Sequence, residues 1–395
     1  MARGRRGCGC AAAVLALVLV AALGVGYKFA LPWWQKQPPK PSGGELQVHV
    51  LDVGQGDSIL IVSPVGKTVL IDAGDFGKDK VVRDALARYN VSHLDYFVAT
   101  HAHPDHIGGA AEVLKNVKVD NVIDNGVAPS DYVDPQAKKN DKNAKGAKNA
   151  KGAKGAQPKP TPAPKLPRGA QLPDVKAYTE YLDAVKQSGA QHTTAAPGQQ
   201  IDLGGNAFLT VLAPVPPPFT GDQVRGGGNE PNANSVVLRL YYGDFSMLFA
   251  GDAEAQTEDR VIRSGAELQS SILKVAHHGS KYATTEDWIK RVKPVAAIIS
   301  DGEYNRYGHP STDVLARLKT ADVRVFRTDL QGEITITTKG KDFTVREIKP
   351  AHDAASDVYA GRPPQKDDSE RSGFIAYGDF GPPPKPKPEK KAGGK

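Results

Sequence analysis

The chain has 395 residues, with 51 Lys and Arg against 44 Asp and Glu, a formal net charge of +7. The basic surplus lies in residues 1–43 (six basic, no acidic) and 137–168 (ten basic, one acidic); without these and the last 46 residues, 27 basic and 36 acidic side chains remain. A folded part of net charge −9 excludes a uniformly basic nucleic-acid clamp, and with both cysteines at Cys8 and Cys10 it excludes a disulfide framework or a thiolate metal site.

In chain order, residues 7–27 are uncharged and rich in Ala, Val and Leu, close to the ~20 residues a membrane-spanning helix needs. Arg3, Arg5 and Arg6 precede this run and Lys28 follows it, which orients the N-terminus inward and the body outside the cytoplasm. Residues 1–43 therefore read as an inner-membrane anchor and linker; a cleaved signal segment with a secreted or periplasmic body is the alternative. Residues 46–53 alternate apolar and polar, and strands at 58–62 and 67–71 continue them as a meander. Residues 80–89 have helical spacing, 94–99 form a buried strand, and a helix opens at Ala110 after Gly108-Gly109. Residues 137–168 contain AKGAKNAKGAKGA and alternating prolines, cannot build an apolar face, and read as a disordered insert, a solvated spacer or a polybasic tether for phosphate polymers or anionic lipid headgroups. Further strands are expected at 207–212, 235–242, 245–250, 272–276, 295–300, 323–327, 333–338 and 342–345, with helices at 255–264, 285–292 and 312–320. Residues 350–395 read as a disordered tail. Many strands with interspersed helices predict an α/β domain over 44–349, two sheets face to face with helices outside.

Six of the ten histidines fall in three short segments: His101, His103 and His106; His277 and His278; and His309. The first lies in THAHPDHIGG, directly after a strand whose end delivers side chains to a sheet rim. Histidines at i and i+2 can share one cation, and the following Asp105-His106 can hold a second; imidazole and carboxylate donors suit Zn, with Mn admitted by more oxygen ligands. Gly54-Gln55-Gly56 lacks the lysine and helix of a nucleotide phosphate loop.

This histidine segment resembles the metal-binding motif of the metallo-β-lactamase superfamily, an αββα sandwich of two mixed sheets. LDVGQGDS (51–58), LIDAG (70–74), Asn234-Ser235, FAGD (249–252), LKVAHHGS (273–280) and YGHP (307–310) are similar to the C-terminal metallo-β-lactamase-like domain of ComEC-type DNA-uptake proteins. The resemblance implies two divalent ions, Zn or Mn. His101 and His103 would hold the first, Asp105 and His106 the second, and Asp252 would bridge them. One of His277 and His278 would complete the second site, because neighbours on a strand point to opposite faces. Asp105 and His309 are the candidate catalytic groups. Asp57, Asp72, Asn234, Ser235 and Lys274 are candidates for supporting the ligands or contacting substrate. One departure stands out: the superfamily's third histidine of the first site is absent from residues 230–235. The expected activity is hydrolysis of a phosphodiester, including single-stranded DNA. The alternatives are hydrolysis of small esters (a choline phosphate ester, lactone or thioester) and a non-catalytic extracytoplasmic binding module.

Overall fold

The apolar runs become the strands of two sheets. The structure, a computed structural model, describes residues 44–132, 172–224, 231–303, 305–348 and 358–361. The readings made on residues 7–27 and 137–168 lie outside the described residues. Among the described residues no helix is long and apolar enough to cross a membrane.

Strands β1 (Leu46–Val50), β2 (Ile59–Val62), β3 (Thr68–Ile71), β4 (His93–Ala99), β5 (Lys118–Asp124) and β6 (Gln191–Thr194) build most of the first sheet. Strands β7 (Gln200–Gly204), β8 (Ala207–Ala213), β9 (Val237–Tyr242), β10 (Phe245–Phe249), β11 (Ile272–Lys274), β12 (Ala296–Ile299) and β13 (Arg324–Arg327) build the second. The chain then returns to the first sheet with β14 (Ile334–Thr338) and β15 (Phe343–Glu347). The eight-stranded sheet runs β15-β14-β1-β2-β3-β4-β5-β6 and the seven-stranded sheet β13-β12-β11-β10-β9-β8-β7. Pairing is parallel from β3 to β6 and from β10 to β13, and antiparallel elsewhere, so both sheets are mixed.

The helices are α1 (Asp79–Arg88), α2 (Pro104–Ile107), α3 (Ala110–Asn116), α4 (Pro173–Ser188), α5 (Ala255–Arg263), α6 (Glu286–Val292), α7 (Thr312–Thr320) and α8 (Thr328–Gln331). Val48, Ile61 and Ile71 of the first sheet meet Leu209, Leu238 and Met247 of the second in the central core. The outer face of the first sheet packs Leu70 and Phe97 against Leu86 of α1, Val113 of α3 and Tyr181 of α4. The outer face of the second packs Leu248 and Leu273 against Val261 of α5 and Trp288 of α6, and Ile299 and Val325 against Val314 and Leu318 of α7. Four layers follow, helix–sheet–sheet–helix. A strand such as β3, covered on both faces, must be largely apolar: Val69, Leu70 and Ile71 are, and the Thr68 hydroxyl donates to the His93 carbonyl at 2.8 Å.

Loops from both sheets meet at one rim of this sandwich. Gly108 and Gly109 bring α3 down onto that rim: a Cβ on Gly108 would lie 2.4 Å from the Phe76 nitrogen, and one on Gly109 2.3 Å from the Ala73 carbonyl oxygen. No side chain fits between these backbones, which is why the motif ends in two glycines.

Three expectations need correction. The strand read over 272–276 stops at Lys274; His277 and His278 occupy a 3₁₀ turn, Ala276–Gly279, with φ of 50° and 52°. The segment 350–395, read as a free tail, contains residues 358–361, which pack on the body: Val358 and Tyr359 lie against the α7–β13 cluster, and the Tyr359 hydroxyl donates to the Val323 carbonyl at 2.7 Å. Finally, β5 and α4 carry much of the first sheet and its helical cover, yet neither was anticipated from the sequence.

Candidate metal centre

The end of β4 hands the chain to Thr100 and then to the histidine motif. Asp72, just after β3, is fully buried and binds both: its Oδ1 accepts the Thr100 backbone N–H at 2.8 Å, and its Oδ2 accepts the Thr100 hydroxyl at 2.7 Å and His106 Nδ1–H at 2.7 Å. The hydroxyl, having donated to Asp72, accepts from His101 Nδ1 at 3.1 Å. Both rings are thereby fixed with Nε2 facing forward, the usual way a ligating imidazole is oriented. His103 contributes its other nitrogen, Nδ1, 3.0 Å from His101 Nε2.

Opposite, β10 is followed by Ala250-Gly251 and then Asp252, which is 2% exposed and anchored by its N–H to the Ser235 hydroxyl at 3.2 Å. Its Oδ1 lies 3.2 Å from His106 Nε2 and 3.5 Å from His278 Nε2. His278 Nε2 is also 3.4 Å from Asp105 Oδ2, and its Nδ1–H donates to the Ser300 carbonyl at 2.9 Å. Asp252 Oδ2 lies 3.8 Å from His101 Nε2 and 3.7 Å from His277 Nε2.

The ligand atoms of Asp105, His106, Asp252 and His278 fall within 4.8 Å of one another, as do those of His101, His103 and Asp252. His106 Nε2, His278 Nε2 and Asp252 Oδ1 are buried, have no hydrogen-bond partner, and converge. Leaving such groups unpaired costs on the order of 1–3 kcal/mol each; one divalent cation among them satisfies all three. The electrostatics agree. Burial works to raise the Asp105 and Asp252 carboxyls, yet the neighbouring imidazoles, His106 foremost, hold both below the usual carboxylate range. Burial and His106 push His101 well below its ordinary value, to the neutral form a ligand needs. Against burial, Asp252 and the other carboxylates lift His278 to about 9, so the carboxylates draw positive charge to this spot. The residues present fit divalent cations.

Residues 51–206 match the family described as "Metallo-beta-lactamase superfamily". The match takes in the first sheet's strands from β2 to β6 and the histidine motif at 101–106. It is 28% identical over 330 residues to ComE operon protein 3 of Bacillus subtilis, covering 79% of this chain and 35% of that protein. It is 32% identical over 106 residues to Competence protein ComA of Neisseria gonorrhoeae, covering 27% of this chain and 15% of that protein. Among solved structures it is similar to the Rm3 metallo-beta-lactamase, with a TM-score of 0.32, 17% identity and coverage of 60% of this chain and 77% of that one. The chain thus spans about a third of ComE operon protein 3 and less of ComA. The metallo-β-lactamase domain is of a hydrolase superfamily, and its fold implies divalent-metal binding.

The remaining candidates divide. Asp57 and Lys274 are buried behind the centre and pair with each other, Nζ to Oδ2 at 2.8 Å, so Lys274 is an internal counter-charge and no phosphate contact. Asn234 is turned into the fold, its side chain exchanging two hydrogen bonds with the Phe219 backbone at 2.8 and 3.1 Å. Ser235 serves by holding Asp252. His309 sits on the rim, its ring centroid 5.6 Å from that of His277, and the Asn305 side chain pins its backbone at 2.9 and 2.7 Å. Thr100, Asn232, Glu254 and Ser300 support the histidines and were not singled out from the sequence; short polar residues at strand ends beside a histidine motif are the signal that points to them. Asn232 Nδ2 is 3.4 Å from His277 Nε2, and Glu254 Oε1 is 3.7 Å from His277 Nδ1.

Proposed function

We propose that this domain hydrolyses phosphodiesters, single-stranded DNA among them, at a centre for two divalent ions, Zn or Mn, held by His101, His103, Asp105, His106, Asp252 and His278. The observation that carries the reading is the convergence of imidazoles on both oxygens of Asp252. Divalent ions there supply Lewis-acid polarisation and a water nucleophile at neutral pH. The chain's own residues do the rest. Asp72, Thr100 and the Ser300 carbonyl keep the imidazoles aimed, and Asp57 with Lys274 stiffens the wall behind them.

The rim supports an anionic substrate. Lys78 Nζ lies over the Gly54 backbone, 3.3 Å from where a Cβ would stand. The Arg306 guanidinium sits 5.2 Å from the Tyr307 ring centroid, and Tyr307 stacks on His309 at 5.6 Å and 22°. A cation, an aromatic face and an imidazole thus lead from solvent to the centre, suited to a phosphate, a base and a donor N–H on the leaving oxygen. Lys78 and Arg306 are the positive groups near Asp75 on this rim. The competence-related names of ComE operon protein 3 and ComA point the same way. The uncharged residues 7–27 after three arginines support a body held at the membrane outside the cytoplasm.

The test is turnover of bis(p-nitrophenyl) phosphate and single-stranded DNA by the chelator-stripped protein reloaded with Mn²⁺ or Zn²⁺. Asp105→Ala with Asp252→Ala is expected to abolish turnover of both. Hydrolysis of choline phosphate esters, lactones or thioesters with none of phosphodiesters overturns the substrate assignment; undiminished activity in the double variant overturns the site.

A further inference from the structure

We propose that His277 is the third imidazole of the first metal position, replacing the histidine missing from residues 230–235, with Asn232 and Glu254 holding it in place. This rests on the dinuclear reading above and assigns to the first histidine of the HH pair a role of its own.

The HH pair is not on a strand. Two successive non-glycine residues with φ near +50° are a costly conformation, of the kind found where function over-determines the backbone. Its effect is to break the alternation that would have sent one ring away from the centre. The two rings stand 6.2 Å apart, nearly perpendicular at 77°, and both reach Asp252 from different sides. His278 addresses Oδ1 with His106. His277 addresses Oδ2 with His101, at 3.7 and 3.8 Å. Two donors sharing one cation at about 2.0–2.2 Å stand roughly 3–4 Å apart, so His277 is as close to Asp252 Oδ2 as His101 is; it lies outside the 4.8 Å grouping of His101, His103 and Asp252 and would draw in to complete it. The backbone is committed to this pose, since His277 N–H donates to the Gly251 carbonyl at 3.0 Å, one residue before Asp252 itself.

The backing of the ring repeats a pattern. His101, His106 and His278 each turn Nδ1 to an oxygen of the fold (Thr100, Asp72 and Ser300) and Nε2 to Asp252. His277 follows it more loosely: Nδ1 stands 3.7 Å from the buried Glu254 carboxylate, beyond hydrogen-bond reach, and Nε2 faces Asp252. The Nδ1 atoms of His277 and His309 are both buried without a hydrogen-bond partner, and that of His277 has a carboxylate oxygen at 3.7 Å. An independent feature marks the spot. Asn232 is 5% exposed and its Oδ1 has no hydrogen-bond partner, while its Nδ2 meets His277 Nε2 at 3.4 Å. Half a turn of the amide exchanges the two atoms and brings the unpaired oxygen to the face where an ion held by His101, His103 and His277 would lie. Asn232 falls in the segment where the superfamily's histidine is missing: its amide and His277 together fill that place.

The experiment uses the full chain, stripped with chelator and titrated with Co²⁺, reading bound metal by elemental analysis, the visible d–d spectrum and calorimetric steps. Wild type is expected to take two ions. His277→Ala and His103→Ala are each expected to take one and to lose the same spectral band, whereas His278→Ala loses the other; combining His103→Ala with His277→Ala removes nothing further. Glu254→Gln, which keeps the ring, is expected to weaken the His277-dependent step by roughly 10-fold or more and to serve where His277→Ala does not fold. Two ions bound by a folded His277→Ala with wild-type affinity overturn the proposal alone. A wild type that binds one ion, insensitive to His103 and His277, overturns it too. A wild type that binds none overturns the dinuclear reading and this inference with it.

Discussion

Lys274 and Asp57 are an ion pair with side chains 1% and 2% exposed, directly behind the histidines. Burying two charges is repaid by mutual attraction and added hydrogen bonds, here Lys274 Nζ to the Val275 carbonyl at 3.1 Å. Removing one partner strands the other. Lys274→Met is therefore expected to destabilise the fold by about 3–5 kcal/mol, read as a lower urea midpoint, and Lys274→Met with Asp57→Leu is expected to recover most of that. Glu258 on α5 illustrates another case, a carboxyl held by backbone N–H groups, with Arg317 a minor lowering influence. It is 1% exposed and accepts the backbone N–H groups of Thr284 and Thr285, and burial raises it from 4.5 to about 7. Between those values the unfolded chain has released a proton that the folded protein keeps, so stability falls as pH rises through that window. Glu258→Gln is expected to remove this component: the wild-type minus variant difference in unfolding free energy shifts by up to about 3 kcal/mol between pH 4.5 and 8, measured by denaturant titration. No shift in that difference refutes the assignment.

At the scale of elements, the centre is set by how loops interlock at the sheet rim. Gly56 has φ of 127°, and a Cβ there would stand 2.2 Å from the Asp105 carbonyl oxygen, which the Asp57 N–H already engages at 3.1 Å. Gly56→Ala is expected to displace the Asp105 loop, costing about 2 kcal/mol or more and loosening metal uptake by Asp105 and His106. Gly66→Ala, also at positive φ but facing open space, should cost only about 1 kcal/mol and leave metal content alone. Calorimetric melting and elemental analysis separate the two. Much of this level was legible. The meander β1–β2–β3, the buried β4 and the helix over 312–320 follow from period and composition. What failed had physical reasons. In β5, KVDNVID, four of seven residues are polar and three of those are Asp or Asn, poor strand formers, so the strand reads as a loop. Helix α4 has Ala177, Tyr181, Ala184 and Val185 on one face, a clear 3.6-residue period, obscured by the proline-rich stretch before it. The HH turn was misread because alternation holds for strands, and no local rule announces two left-handed residues in a row.

At the scale of the molecule, charge and catalysis are segregated. The folded body is acidic while residues 137–168 are basic, and the described chain on either side of that stretch meets where Tyr132 packs edge-on against Tyr178 at 4.9 Å. Replacing 137–168 with a short Gly/Ser link is expected to preserve metal content and to leave the melting temperature within a few degrees. It should weaken binding of single-stranded DNA and flatten its dependence on salt, because each lost phosphate contact removes a share of counterion release. Unchanged affinity and salt slope would show that the stretch makes no such contacts. The recognition of the family was legible for a similar reason: its motifs sit at strand ends, where sequence and chemistry coincide, whereas the support from Asn232 and Glu254 depends on three-dimensional approach.

Arg327 bears on how the domain can be cut. Its side chain is 1% exposed, forks onto Asp329 at 2.7 Å, and spends a further nitrogen on the carbonyls of Val358 and Ala360 at 3.2 and 2.7 Å. A fragment stopped at the last strand would leave that guanidinium N–H with no acceptor from this strap and bare the apolar patch under Tyr359. Expression boundaries drawn beyond Gly361 should therefore yield monodisperse material, and those drawn at residue 349 should yield protein prone to self-association.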